Sequence, residues 1–183
     1  YIIDNTYYHI PEPDPPLRHY RNVLSWQMSA RWSPLRWLQL HGQYMFEQNN
    51  RKNVSTWTAG FATNFFDKSF YIKGSISYNY RFPSMNDLYW RPGGNPDVKP
   101  EDGYSYDASI GYKKKLASWI TLNAEASGYI MYIDNWILWL PKDGNQWIWT
   151  PQNKRNVLST GAEFAGKLEL KFGELKTSLS GNF

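Results

Sequence analysis

Cysteine is absent from the 183 residues, which excludes disulfide bridges and thiolate metal ligands. No apolar run approaches the roughly 20 residues of a membrane-spanning helix, and the opening YIIDNTYYHI lacks the basic start and apolar stretch of a signal peptide. The three histidines, His9, His19 and His41, have no ligand spacing, and no phosphate loop, zinc motif or Gly-x-Ser-x-Gly occurs. We therefore predict no catalytic residue, no metal, no cofactor and no enzymatic activity.

Charge is also sparse, and aromatic residues are abundant. The net charge is only +4, and no Lys/Arg block is interleaved with stacking aromatics as a nucleic-acid surface would require, so we predict no nucleic-acid partner. Aromatics make up 18% of the chain, with 10 Trp and 14 Tyr. These side chains combine an apolar body with a polar tip, which suits interfaces, carbohydrate faces and the headgroup zone of a membrane.

Apolar and polar residues alternate with a period of two along most of the chain. In FYIKGSISYNYRF the even positions from Phe70 to Phe82 are apolar, aromatic or glycine, and the odd positions from Tyr71 to Arg81 are mostly polar. Successive strand residues point to opposite faces, so this pattern predicts a two-faced strand. It recurs about eight times, over roughly 24–32, 38–47, 56–65, 70–82, 104–112, 120–132, 158–170 and 175–183. Most of these strands have the ten or so residues that a tilted strand needs to cross a bilayer.

The predicted connections are sorted by length. Short turns near 33–34, 67–69, 114–118 and 172–174 alternate with longer segments at 48–53, 83–103 and 134–151. Outer-membrane barrels have this asymmetry, with short periplasmic turns and long external loops. The segment 81–102 holds four prolines and a Gly-Gly pair, so we predict that it contains no strand or helix interior and lies at the external rim.

Two other architectures are compatible with the alternation. A soluble, secreted, aromatic-rich β-domain that binds carbohydrate would pack its apolar faces on each other and stay soluble without detergent. A complete small outer-membrane barrel with a structural or adhesive role would fold in detergent from these residues alone. Small Gly and Ala residues lie mid-strand and Trp and Tyr toward strand ends, which favours a membrane barrel with aromatic girdles.

Two segments carry a resemblance to a known family. RFPSMNDLY followed by GNPDVKPE resembles the strand-end and loop motif of TonB-dependent outer-membrane receptors, with Val98 at the usual Leu position. Downstream, YIDNWILWLPKDGNQWIWTPQN and VLSTGAEFAGKLEL resemble the family's next external loop and strand, and the resemblance covers roughly 23–183. The Trp-rich wording is most similar to the vitamin B12 receptor-like branch.

The resemblance implies a 22-stranded antiparallel transmembrane barrel in the bacterial outer membrane, with an N-terminal plug inside it. Residues 1–183 would then be a single barrel segment without the plug. The implied function is TonB-energised uptake of a scarce solute: a corrinoid, a siderophore or a glycan. The implied partners are membrane lipid, the solute, TonB through the plug, and a surface lipoprotein.

Two groups of site residues follow from this interpretation. The lumen lining would comprise Lys73, Ser75, Ser77, Asn79, Arg81, Asn123 and Glu125. The external substrate contacts would comprise Asn86, Tyr89, Trp90, Arg91, Trp147 and Trp149. The rim aromatics could stack on a flat solute, pack on each other, or extend two strands above the membrane, and these interpretations stay open.

Overall fold

The computed structural model of the chain describes residues 2–9, 18–50, 52–66, 69–154 and 156–183, with residues 2–9 and 18 described by their backbone alone. Within these ranges it contains eleven strands and one short helix. They are β1 (Ile2–His9), β2 (Arg18–Leu35), β3 (Leu38–Asn49), β4 (Asn53–Phe65), β5 (Phe70–Arg81), α1 (Met85–Tyr89), β6 (Glu101–Ala117), β7 (Ile120–Asp134), β8 (Ile137–Lys142), β9 (Asn145–Asn153), β10 (Asn156–Phe172) and β11 (Leu175–Asn182).

Nine of the strands form one antiparallel sheet. They follow one another in chain order, from β1 to β7 and then β10 and β11, while β8 and β9 pair only with each other. The prediction of an all-β antiparallel fold is confirmed, and the eight predicted strands correspond to β2–β7, β10 and β11. The sheet of described strands is open, because its edge strands β1 and β11 pair only with β2 and β10 and not with each other. No helix among the described residues is long and apolar enough to cross a membrane.

The predicted sorting of the connections is confirmed for most of them. Turns at 36–37, 118–119 and 173–174, together with the connection from β4 to β5, lie at one edge of the sheet, here called the short-turn edge. Gly173 adopts φ +62° in the last of these turns, a conformation that suits a two-residue hairpin. The opposite, long-loop edge carries residues 82–100 and 135–154. The predicted longer loop at 48–53 is wrong, because β3 and β4 leave only residues 50–52 between them.

One face of the sheet is apolar and ends in aromatic rows. Directly opposed residues form a row on five strands near the long-loop edge, and these are Tyr44, Trp57, Tyr78, Tyr104 and Tyr132. A second row, Phe65, Phe70 and Tyr112, lies near the short-turn edge. The eight steps from Tyr78 to Phe70 span about 27 Å along the strand, and Gly74, Ile72 and Ile76 lie between them. An apolar band bounded by aromatic girdles is what an outer-membrane barrel presents to lipid.

The buried core lies at the long-loop edge and not against the sheet face. Leu88, Val98 and Ile137 form the buried apolar cluster, and Tyr89 packs against it. Large apolar side chains on the sheet face, such as Trp32 and Phe164, stay more than half exposed. The long-loop edge is therefore where the described chain packs a buried apolar cluster.

Candidate binding site at the long-loop edge

Helix α1 is a single turn between two prolines. Ser84 caps it by accepting a hydrogen bond from the Asp87 backbone N–H at 3.0 Å, and the Asp87 carboxylate accepts from the Ser84 N–H at 2.8 Å. This reciprocal capping box satisfies two backbone donors that a helix start leaves free. The prediction of no helix interior in 81–102 is therefore wrong for Met85–Tyr89, because the interval between Pro83 and Pro92 holds no proline.

Arg81 and Glu101 join the two strand ends below this helix. The Arg81 Nε and a terminal guanidinium nitrogen each donate to Glu101 at 2.6 Å, and the Ile137 backbone N–H donates to the same carboxylate at 2.7 Å. Burial opposes ionisation of Glu101, but these hydrogen bonds outweigh it and lower its pKa. The hydrogen bond to Glu101 raises the pKa of Arg81. One carboxylate thus ties β5, β6 and the start of β8 together.

Asp87 and two asparagines tie the loop 82–100 to the β8–β9 hairpin. The Trp139 indole N–H donates to the buried Asp87 carboxylate at 2.9 Å, and Asn95 Nδ2 donates to the Pro151 carbonyl at 3.0 Å. Asn153 pairs with the Lys99 backbone through bonds of 2.7 and 2.9 Å. Segments about fifty residues apart in sequence are therefore one unit, which we call the rim block: residues 82–100 together with Ile137–Asn153.

Close backbone packing completes the rim block. Gly93 lies against the Trp90 ring and the Trp149 carbonyl, and a Cβ built at this glycine would collide with that carbonyl. Trp90 packs edge-to-face on Trp139, with ring centroids 5.5 Å apart. The opposed pair Trp139 and Pro151 puts Trp139 and Trp149 on one face of the hairpin. The block therefore gathers tryptophans from two separate segments.

The rim block also reaches β2, three positions away in the sheet. Arg21 donates to the Pro83 carbonyl at 2.6 Å, and His19 stacks on Tyr89 with ring centroids 3.6 Å apart. Odd positions of β2 share the face of Arg81, as the register through β3 and β4 requires. The loop thus reaches β2 across the polar side of the sheet.

The structure places all six predicted substrate contacts in the rim block, with different degrees of exposure, and brings Trp90 and Trp149 together at Gly93. Asn86 and Arg91 are exposed, and Trp90, Trp149 and Trp147 are 38%, 50% and 94% exposed. The exposed groups of the rim block include an amide, a guanidinium and indole faces. The remaining predicted contact, Tyr89, is half-buried and stacked on β2, so its ring has a packing role.

The seven predicted lumen residues share the polar face of the sheet. Lys73 forms an ion pair with Glu125 at 3.3 Å, and the Tyr71 hydroxyl also donates to Glu125. The Tyr71 ring reaches across β6 over Gly111, where a Cβ would collide with it. The other five occupy the same face by register, and they are Ser75, Ser77, Asn79, Arg81 and Asn123. Among the described residues, no group of His, Asp or Glu side chains is placed to hold a metal ion.

The sequence interpretation missed the residues that organise the rim block. Asp87, Asn95, Glu101 and Asn153 make its cross-segment hydrogen bonds. Ser84-x-x-Asp87 is a recognisable helix-start pattern, and a buried acid after Lys-Pro would have been a weaker signal. The partners across fifty residues had no local signal, because they depend on how the hairpin packs.

Known proteins resemble this chain in sequence and in fold. The family described as TonB dependent receptor-like, beta-barrel, matches residues 4–183. The vitamin B12 transporter BtuB of Photobacterium profundum is 30% identical over 128 residues, which cover 68% of this chain and 20% of the relative. The vitamin B12 transporter BtuB of Vibrio vulnificus is 31% identical over 115 residues, which cover 63% of this chain and 18% of the relative.

Two solved structures share the fold. The Serratia marcescens hemophore receptor HasR, solved as a double mutant with its hemophore HasA and heme, matches with a TM-score of 0.69 at 12% identity over 89% of this chain and 34% of the receptor. The copper transporter OprC matches with a TM-score of 0.60 at 15% identity, over 89% of this chain and 30% of the transporter. The chain thus spans about a fifth of the curated relatives and about a third of the solved chains.

The sheet has an apolar face bounded by aromatic rows and a polar face on its other side. Its short and long connections lie at opposite edges. These features define a segment of a transmembrane β-barrel. The family match over nearly the whole chain makes the assignment specific. The chain belongs to the TonB-dependent receptor β-barrel family.

Proposed function

We propose that residues 1–183 form one barrel segment, without the plug, of an outer-membrane receptor that captures a scarce solute and imports it. The rim block carries this proposal: a hydrogen-bonded structure at the long-loop edge that presents exposed tryptophans, supported by the family membership. On this proposal the long-loop edge faces the exterior and the complete barrel has 22 strands. The outer membrane holds no ATP, so uptake is energised by TonB through the plug. No enzymatic step is proposed.

Solute capture falls to the exposed side chains of the rim block. Trp90, Trp147 and Trp149 supply flat apolar faces, and Asn86 and Arg91 supply hydrogen-bond donors. The internal hydrogen bonds hold the loop before a ligand arrives, which reduces the entropy lost on binding. We propose a corrinoid as the first candidate, because two relatives at about 30% identity are named vitamin B12 transporters. A siderophore or a glycan is the alternative, and a surface lipoprotein would cap the rim.

The polar face would line the lumen. Lys73 and Glu125 neutralise each other there, and Asn79 donates to Ser77 and Ser105 at 3.2 and 3.0 Å. Paired charges and short polar groups on this wall would contact the plug and a passing solute. No isolated charge on the wall would then bind either of them strongly. We propose this role for all seven predicted lumen residues.

The two alternative architectures receive less support. A soluble sandwich needs a second sheet to cover the apolar face, but the described strands form a single nine-stranded sheet and one hairpin. A small self-closed barrel needs its two edge strands to pair with each other, but among the described strands β1 pairs only with β2 and β11 only with β10. Lipid cannot satisfy open strand edges, so closure in a membrane requires further strands.

The test measures cobalamin binding by the full-length receptor that carries these residues, purified in detergent. Trp90→Ala and Trp149→Ala remove rim indoles, and we expect each to weaken binding about tenfold. Trp119→Ala is the matched control, because Trp119 stacks on Phe172 at the short-turn edge. Unchanged affinity in both rim variants would remove the rim block from the binding site. Binding of an iron siderophore or a glycan in place of cobalamin would correct the substrate class alone.

A further inference from the structure

Gly93 lies at a close approach of the loop 82–100 to the β8–β9 hairpin. A Cβ built at this position would collide with the Trp149 carbonyl oxygen, and it would lie 3.0 Å from the carbonyl carbon and 3.1 Å from the Cζ3 atom of the Trp90 ring. Gly93 is not among the described residues with positive φ, so its backbone conformation does not require glycine. The narrow space between the two segments requires it instead.

Hydrogen bonds hold the loop beside β9 after Gly93. Asn95 Nδ2 donates to the Pro151 carbonyl at 3.0 Å, and the Lys99 N–H donates to Asn153 at 2.7 Å. These contacts follow each other in the same order along both segments, so the loop and β9 run in the same direction. The loop and the hairpin are therefore fixed at the separation that Gly93 permits.

Three indoles lie close to this contact. Trp90, from the loop, packs edge-to-face on Trp139, from the hairpin, with ring centroids 5.5 Å apart. Trp139 opposes Pro151, so Trp149 is its diagonal neighbour on the same hairpin face, at about 7 Å between Cβ atoms. The Trp139 N–H donates to Asp87 at 2.9 Å, while Trp90 and Trp149 are 38% and 50% exposed. Two exposed indoles, one from each segment, thus flank a fixed one.

We propose that Gly93 is a positioning residue of the solute site, which sets the separation of the Trp90 and Trp149 indoles so that one solute contacts both. This inference rests on the proposed function, in which these indoles bind the solute. Two ring contacts to one rigid solute share a single loss of translational and rotational freedom, so the second ring adds affinity only at the right spacing. A Cβ at position 93 would move the hairpin away from the loop and leave the solute with one of the two rings.

A double-mutant cycle in the full-length receptor, purified in detergent, tests this role. The probe is whichever of cobalamin, a ferric hydroxamate siderophore and a maltooligosaccharide binds the wild type. We expect Gly93→Ala to weaken its binding about tenfold, but by less than about twofold further in a Trp149→Ala background, because the second ring is then already absent. In an Asn86→Ala background the full loss should remain, because Asn86 lies on the loop and its removal leaves Trp149 in the site. A merely destabilising alanine would weaken binding equally in both backgrounds.

A second measurement needs no variant at position 93. The receptor is labelled with fluorotryptophan, and its fluorine resonances are assigned with Trp→Phe variants. The probe should shift the Trp90 and Trp149 resonances with the same concentration dependence and leave the resonance of Trp119, at the short-turn edge, unchanged. A probe that shifts only one of the two rim resonances would contradict the proposal, whether or not Gly93→Ala folds.

The outcomes separate the two proposals. A receptor that is absent from the outer membrane, binds none of the probes, or keeps its affinity in both Trp90→Ala and Trp149→Ala would overturn the proposed function, and the role of Gly93 with it. If those indole variants weaken binding but Gly93→Ala changes it by less than about twofold, the Gly93 proposal alone is overturned. An equal further loss in the Trp149→Ala and Asn86→Ala backgrounds would also overturn it alone.

Discussion

Glu101→Gln should release the rim block from the sheet while leaving the barrel strands folded. Glu101 accepts two hydrogen bonds from Arg81 and one from the Ile137 N–H, and it is buried. Glutamine has nearly the same shape but only one acceptor oxygen, and its amide nitrogen would face a donor. The change therefore removes the charge and places the glutamine N–H against another N–H donor. It creates no cavity.

The expected loss is about 2 kcal/mol. A hydrogen bond to a charged group is worth about 1.5–3 kcal/mol, and we add little for the ion pair because the Arg81 side chain is 52% exposed. This loss corresponds to about a 30-fold change in an opening equilibrium. Hydrogen exchange of the Ile137 amide in the full-length receptor reports this opening directly, and we expect it to accelerate by that factor.

The control is Glu163→Gln, an exposed carboxylate on the polar face of β10. It should leave exchange at Ile137 unchanged. Acceleration below about threefold in Glu101→Gln would refute the reasoning, because the carboxylate would then not hold the hairpin. Equal acceleration across the barrel strands would also refute it, since the barrel and the rim block would then open together.

Further expectations concern the same contacts. The pKa of Glu101 is lowered from its ordinary 4.5. Its contribution to the stability of the rim block is therefore present above that pH and is lost as the pH falls through the lower folded-state value. Cleavage of the rim block by pepsin should rise below pH 4.5 in the wild type and stay constant in Glu101→Gln. Gly111→Ala forces a Cβ into the Tyr71 ring and should cost about 1–3 kcal/mol in urea unfolding, whereas Gly166→Ala, with open space, should stay within about 0.5 kcal/mol. Asp87→Asn leaves one acceptor for the helix cap and the hairpin indole, and helix exchange should rise about fivefold, equivalent to about 1 kcal/mol.

The strands and their two faces could be predicted from the sequence, because a period of two needs no tertiary information. Tyr78 and Tyr104 fall on the apolar face whatever their neighbours, and the structure places them directly opposite each other with ring centroids 5.2 Å apart. The polar run from Lys73 to Arg81 follows for the same reason. The division of the connections into short and long ones could be predicted as well. In a sheet whose successive strands are neighbours, alternate connections lie at the same edge.

The rim block could not be predicted, because its contacts cross about fifty residues and depend on packing. Proline and glycine content predicted no helix interior in 81–102, and this prediction missed the capped turn after Ser84. Tyr89 was grouped with the exposed contacts, because its stack on His19 depends on how far β2 extends past β3. Composition alone carries no information about which aromatic of a loop turns inward.

The rim block also explains why the motif that reveals the family says little about the proposed solute. In RFPSMNDLY and GNPDVKPE, the side chains of Arg81, Ser84, Asp87 and Glu101 bind other parts of the chain. These residues fix the backbone and are occupied by internal hydrogen bonds. The most exposed indole, Trp147, lies outside both motifs at the hairpin tip. We therefore expect substitutions in the motif to change solute affinity by loosening the rim block, and substitutions at the tip to change which solute binds.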